Sequence, residues 1–399
     1  MVKYSTRSIN AESFPTDMKL LLAFLASDSP EDISERHGEL LRGADWNQFI
    51  ELARHHRVFP TINRKLQSMA APAVPAFLVG LFKRDYYRNT LQMLALSGEI
   101  EQLAKQLGDQ GIRALFLKGP VIAADLYGDV SLRTSCDLDI LIPIEKLEQA
   151  EKLLESLGYV KDDYIVSVLN DWRWRHHHTS FLHPKTDVKV ELHWRMNPGP
   201  GKEPGFDELW ERKRKSALIN RPIYYLGRED LFLFLTAHGA RHGWSRLRWL
   251  LDIKQLVRQP IDWPALTALM KKYHYSHLAG QALLLANAFL SEPLRDEMRA
   301  MTGSRKAQAL ASETLFYLER SVNLHSPPLP KEVERYHKRH LFRQQSLPHK
   351  LLFMASLLHP YPEDTLTLPL PKSLHLLYFP LRPFLWGWRK LQKTASRNG

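Results

Sequence analysis

Two acids one residue apart, Asp137-Leu138-Asp139, open a short alternating run that stops at Pro143. That pattern predicts a strand over Asp137–Ile144. Side chains at i and i+2 share a strand face, so Asp137 and Asp139 project together while Leu138 and Ile140 face packing. Two adjacent carboxylates repel unless a cation lies between them. Oxygen ligands on rigid backbone suit Mg²⁺, which also takes substrate phosphates as ligands. A solvated strand start with two chance acids has the same spacing. A second run, Val188-Lys189-Val190-Glu191-Leu192-His193, puts its apolar residues on one face and Lys189, Glu191 and His193 on the other. If the two strands are neighbours, three carboxylates converge, as in a two-metal phosphoryl-transfer site. If they are not, Glu191 is part of an exposed polar face paired with Lys189.

Phosphate chemistry has candidates upstream. Leu117-Lys118-Gly119-Pro120 follows an expected strand and precedes an expected helix. Gly119 lets backbone approach a ligand, a helix N-terminus favours phosphate, and Lys118 adds a cation. The segment is not a Walker loop, which needs more glycines and a Gly-Lys-Ser/Thr ending. Arg133, four residues before Asp137, is placed to hold a phosphate oxygen or to shield the acidic pair.

The elements that position these groups follow from pattern. Residues 15–110 read as helix, with stretches at Met18–Leu25 and Asp45–Arg54 and breaks at Pro72 and Pro75. A long helix over Ala76–Leu107 carries Leu91, Leu94, Ile100 and Leu103 as its apolar set. Ile112–Leu117 reads as a strand, Val121–Tyr127 and Glu145–Leu157 as helices, and Ser180–Leu182 with Val188–Trp194 as a hairpin. After a breaker-rich loop at 197–205, helices are expected at Glu229–His242, Leu247–Arg258, Trp263–Tyr273 and His277–Leu290. Pro380 and Pro383 are expected to interrupt helix in the aromatic, basic tail 374–393.

Composition limits the alternatives. The 399 residues hold 55 Lys+Arg against 43 Asp+Glu, a net charge of +12, with 44% hydrophobic residues. This is a globular composition with a pull toward polyanions: nucleotides, nucleic acid or an anionic membrane face. The single Cys136 excludes an internal disulfide framework and is expected to lie opposite the acids as a small buried residue. The opening Met-Val-Lys-Tyr-Ser lacks a signal-peptide core, and no apolar run approaches the roughly 18–20 residues of a membrane span. A cytoplasmic protein is expected, with its tail packing back on the helical domain; peripheral contact of that tail with the inner membrane face is the alternative.

The order of these features is recognisable. Strand, Lys118-Gly119, helix ending Leu126-Tyr127-Gly128, Arg133, Asp137-x-Asp139, helix ending Leu157-Gly158-Tyr159, then Val190-Glu191-Leu192-His193-Trp194 resembles the uncharacterised nucleotidyltransferase family of the DNA polymerase β superfamily. The resemblance covers about residues 90–290. It implies a mainly α, α+β fold: a mixed-sheet nucleotidyltransferase core flanked by helical regions. The corresponding division is an N-terminal helical region 1–95, a core 96–225, a helical domain 226–325 and a basic, Pro/aromatic-rich extension 326–399. It implies Asp137 and Asp139 as the metal pair and Glu191 as the third carboxylate, which helps activate an acceptor hydroxyl. Mg²⁺, with Mn²⁺ as alternative, would assist transfer of NMP from an NTP, ATP being the expected one, with release of pyrophosphate. The acceptor is open: a small molecule, a sugar, a protein or an RNA end. The superfamily's Gly-Ser is here Gly119-Pro120, with no hydroxyl following the glycine.

Downstream, Ala237–Trp244 with Arg246, Trp249 and Asp252 resembles the family's helical motif, making Arg241 and His242 candidate nucleotide contacts. The same residues would also suit a helix–helix junction built on Trp244 and Trp249. Three rivals remain: a member that binds nucleotide or protein without turnover, a metal hydrolase using the histidines between His176 and His193, and a membrane-surface protein acting through its tail. The stretch Trp172–His178 also has the composition for base stacking, or for a polar edge strand with packing tryptophans.

Overall fold

The computed structural model describes residues 9, 11–69, 74–162 and 165–398, with side chains up to 392. The N-terminal pentapeptide, Pro72 and the side chain of Lys393 lie outside the described residues.

Alternating burial builds the sheet. Strands β1 (Leu115–Phe116), β2 (Asp137–Leu141), β3 (Val160–Lys161), β4 (His178–Leu182) and β5 (Lys189–His193) form one sheet in the order β1-β2-β5-β4-β3. β2 and β5 run parallel, and the other pairs are antiparallel. Leu138, Ile140, Val190 and Leu192 are buried together on one face, which fixes the register, because a one-residue slip would turn them out. The register sets Asp139 opposite Glu191 and Asp137 opposite Lys189. A separate ribbon joins β6 (Arg214–Lys215) and β7 (Tyr224–Tyr225).

Most expected elements form, with shifts that have physical causes. β2 ends at Leu141, because Pro143 starts a 3-10 turn that takes Ile144. Of Ile112–Leu117 only two residues join the sheet. The long helix runs Ala76–Asp109, but its buried ridge is Leu78, Phe82, Met93, Leu96, Ile100, Leu103 and Leu107. Leu91 and Leu94 are 70% and 55% exposed, so that half of the expected apolar set is on the wrong face. The boundary expected at 95/96 falls inside this helix, and one hydrophobic cluster extends from Phe14 to Leu318. Cys136 is exposed just before β2, with Arg57 donating to its sulfur, rather than buried opposite the acids. The tail helix Tyr378–Asn398 is continuous through Pro383. Pro380 falls in its first turn, where N–H groups lack intrahelical partners, so Pro383 removes only one ladder bond.

The helix Arg228–Arg241 is buried on all sides from Asp230 to Ala240, between helices Leu247–Val257 and Ser276–Leu290. Gly239 permits this, since a Cβ there would lie 2.4 Å from the Trp244 ring. Arg133 is the tie between sheet and helices. Its guanidinium is buried and donates to both oxygens of Asp252, from Nε at 3.0 Å to Oδ1 and from Nη2 at 3.0 Å to Oδ2. Tyr127 donates to the same carboxylate at 2.8 Å. Arg133 therefore does not face a phosphate site; its charge is committed to Asp252. Removing one partner of a buried ion pair strands the other, so Asp252→Ala is expected to lower unfolding free energy by about 3–5 kcal/mol in urea titrations. The double change Arg133→Met with Asp252→Leu should recover much of that loss.

Candidate active site

One face of β2, β5 and β4 carries Asp137 and Asp139, then Lys189, Glu191 and His193, then His178. Asp139 is 1% exposed. Lys118 Nζ lies 2.9 Å from its Oδ1, and His193 Nε2 lies 3.1 Å from the same atom. Oδ2 is buried and has no hydrogen-bond partner. Burial opposes the charge on Asp139, but Lys118 and His193 overcome it and hold the carboxyl well below the usual range. Burial likewise opposes the charge on Glu191, and the His193 hydrogen bond together with the charges of His178 and His193 overcomes it, leaving the carboxyl at about 2. Lys189 Nζ is 3.3 Å and His193 Nε2 3.4 Å from Glu191. Asp137 is pushed up, first by burial and then by the charge on Asp139. The acids thus form one electrostatic unit, in which Lys118 and Arg248 offset only part of the rise at Asp137.

Gly119 closes one side. Its φ of +79° is a conformation L side chains rarely adopt, and a Cβ there would sit 3.7 Å from the Asp137 carbonyl. Ser135 Oγ would be 3.9 Å from that Cβ and donates to the Asp137 carbonyl at 3.2 Å. Ser135 thus brings a hydroxyl beside Gly119, committed to the Asp137 backbone. Sequence reasoning missed Ser135 because it lies sixteen residues from the glycine. The long helix steadies this loop: buried Asn89 donates to the carbonyl of Ser131 at 2.8 Å and of Arg133 at 3.3 Å.

Two arginines border the acids. Arg248, also missed, donates from Nη1 to the carbonyl of Thr134 at 2.5 Å, while its buried Nε has no partner. Burial brings its pKa down to about 10, against the pull of the Asp252 and Asp137 charges. Arg241 has a buried, unpartnered Nη1, and its Nη2 meets His238 Nδ1 at 3.4 Å. Burial lowers its pKa against the pull of nearby acidic groups that include Glu203, Asp139 and Glu191. Arg241 also lines a cavity of about 660 Å³, with the 197–201 loop, Tyr275 and His349. His242 lies elsewhere, 5.3 Å from the Trp249 ring and 5.0 Å from that of His325. The helix–helix junction is its observed setting, with Trp244 and Trp249 buried.

The Trp172–His178 stretch splits in two. Trp172–Arg175 is a short helix rather than an edge strand; Trp172 packs on Trp194, and Arg175 stacks 3.7 Å over Tyr361 and pairs with Asp171. Those aromatics and cations are engaged within the protein, not arrayed for bases. His178 instead approaches the carboxylates, its Nε2 lying 3.8 Å from Glu191, and His177 packs against His178 and His193. Among the described residues, Asp139, Glu191 and His193 offer ligand atoms within 4.8 Å of one another, as do His177, His178 and His193.

A small mixed sheet holding an Asp-x-Asp pair beside a Glu on the parallel neighbour, wrapped by helices, is the architecture of a nucleotidyltransferase-like protein. The chain belongs to the uncharacterised nucleotidyltransferase family, whose model matches residues 42–291. Membership carries a general nucleotidyl-transfer role. Comparison with curated proteins and with solved structures gives no match.

The buried histidines make the fold pH-sensitive. Burial is the main cause that depresses His56, His177, His238 and His242, whereas His193 is raised by Asp139 and Glu191 against burial. A depressed histidine contributes stability in full above its unfolded pKa of about 6.5, lost as pH falls because only the unfolded chain takes the proton. The expected loss is ~1.5 kcal/mol per depressed histidine between pH 6.5 and 5. Urea titrations across that window should show it, and His238→Gln should flatten the slope.

Proposed function

We propose that the protein is a Mg²⁺-dependent nucleotidyltransferase, with Mn²⁺ as an alternative ion, moving NMP from an NTP to an acceptor hydroxyl. The observation that carries this is the in-register pairing of Asp139 with Glu191, which puts three carboxylates on one sheet face with Asp139 Oδ2 buried and unpartnered. Such a hard-oxygen donor set fits Mg²⁺, and Asp137, Asp139 and Glu191 would hold it. When bound, the ion supplies Lewis-acid stabilisation of charge on the transferring phosphoryl group.

The chain's own groups do the rest. Arg241 Nη1, buried without a partner, is a donor suited to a triphosphate oxygen. Lys118 neutralises charge beside Asp139, and Gly119 lets backbone come close to the phosphates. Glu191, in register with Asp139, would complete the site and help take the proton of the acceptor hydroxyl. The cavity beside Arg241 has the size of a small-molecule pocket, which favours a small molecule or sugar as acceptor over an RNA end or a protein. With ATP as donor the reaction belongs to the cytoplasm.

A second reading rests on His177, His178 and His193, whose grouping suits a transition metal and hydrolytic chemistry. One tightly held zinc per chain would mark it. For the transferase, Asp139→Asn is expected to cut metal-dependent pyrophosphate release by at least ~100-fold with circular dichroism unchanged. Arg241→Met should raise KM for NTP on the order of tenfold. Full activity in Asp139→Asn would sink the assignment. Mg-NTP binding without pyrophosphate release in the parent would instead mark a nucleotide-binding member without turnover.

A further inference from the structure

Among the described residues, seventeen of the twenty-five exposed large hydrophobic side chains lie between Phe342 and Leu391. They are ordered, not scattered. In and just past the helix Leu347–Ser356, Leu347, Leu351, Met354 and Leu358 are all exposed at spacings of four, three and four. That spacing is one continuous apolar stripe on a helix surface, and it faces outward. The inner side of the same helix carries His349 and Phe353, which line the cavity.

The tail helix Tyr378–Asn398 repeats the inversion. Arg382 and Arg389 share its inner face and bind buried Asp364 at 2.6 and 2.7 Å. Phe384, Trp388 and Leu391, at spacings of four and three, are exposed, Phe384 by 75%. A helix that turns its arginines inward and its aromatics outward has its solvent face in the wrong medium for water.

We propose that this C-terminal extension seats the protein on an anionic lipid surface. Charge selects that occupant. From Thr365 to the C-terminus the sequence has no Asp or Glu, and beside Arg382 and Arg389, which are committed to Asp364, it carries Lys372, Lys390, Lys393 and Arg397. Cations also edge the apolar stripes: Lys390 lies 3.9 Å over the Trp386 ring, and Lys350 lies 4.9 Å over Phe342. Interfacial helices combine leucine and aromatic faces with flanking Lys and Arg in this way, the rings entering the acyl boundary and the cations meeting anionic headgroups. Among the described residues no helix is long and apolar enough to cross a membrane, so the mode is lying on the surface. This inference is independent of the nucleotidyl-transfer reading.

Co-sedimentation of the full-length protein with phosphatidylcholine vesicles, with and without phosphatidylglycerol, tests it. The parent is expected to bind the anionic vesicles about tenfold or more tightly than the neutral ones, less so at high salt. Leu351→Glu with Met354→Glu, and separately Phe384→Glu with Trp388→Glu, should each weaken that binding on the order of tenfold or more. The substituted side chains are solvent-exposed, and unchanged thermal unfolding would show that the fold survives. Failure of the parent to sediment with anionic vesicles, or equal sedimentation by the Glu variants, would overturn the proposal. A parent dimer in light scattering that the Glu variants dissolve, with no vesicle binding, would overturn it in favour of a second copy of this chain.

Discussion

The site depends on one backbone relation, the parallel pairing of β2 with β5 in a register that sets Asp139 beside Glu191. These residues come from strands more than forty residues apart in sequence, and the parallel ladder together with the buried Leu138, Ile140, Val190 and Leu192 holds them level. Packing on one face of the sheet therefore decides the chemistry on the other. Three acids on one face would be unstable alone, since like charges at such spacing disfavour mutual ionisation. Lys118 and His193, both on Asp139 Oδ1, supply the compensation that keeps Asp139 and Glu191 charged. Asp137 has burial and the neighbouring Asp139 charge against its ionisation, with Lys118 and Arg248 opposing them.

A second tier of buried charges holds that face against the helices. Arg133–Asp252 and Tyr127–Asp252 join the loop before β2 to the helix Leu247–Val257. Arg248, from that same helix, reaches back to Thr134. The acids are thus clamped from the helical side as well as from the sheet. Arg241, the next cation along, has a donor left over. It lines the cavity, and, like Arg248 with its unpartnered Nε, it has a donor to spare.

What the sequence made legible was local and periodic. Alternation marked β2 and β5, breakers marked the loops, and the Asp-x-Asp and Glu191 faces followed from period two. What it hid was long-range. Nothing near Arg133 announces Asp252, which is 119 residues downstream, so a structural arginine looked like a phosphate ligand. Ser135 comes beside Gly119 only once the loop folds against it. Leu91 and Leu94 fitted a helical period, but the partner surface selected a face rotated away from them. The histidine grouping emerged because β4 pairs with β5, setting His178 opposite His193. In the tail, apolar residues were visible but not the inversion that turns them outward, since that needs Asp364 as the inner anchor.

The carboxylate face is tested most directly by a crystal structure with Mg²⁺ and a non-hydrolysable NTP. The expected result is a cation held jointly by Asp137, Asp139 and Glu191, with triphosphate oxygens on that cation and on Arg241. A metal held by His177, His178 and His193 while the three acids stay unengaged, or a nucleotide bound away from this face, would contradict it.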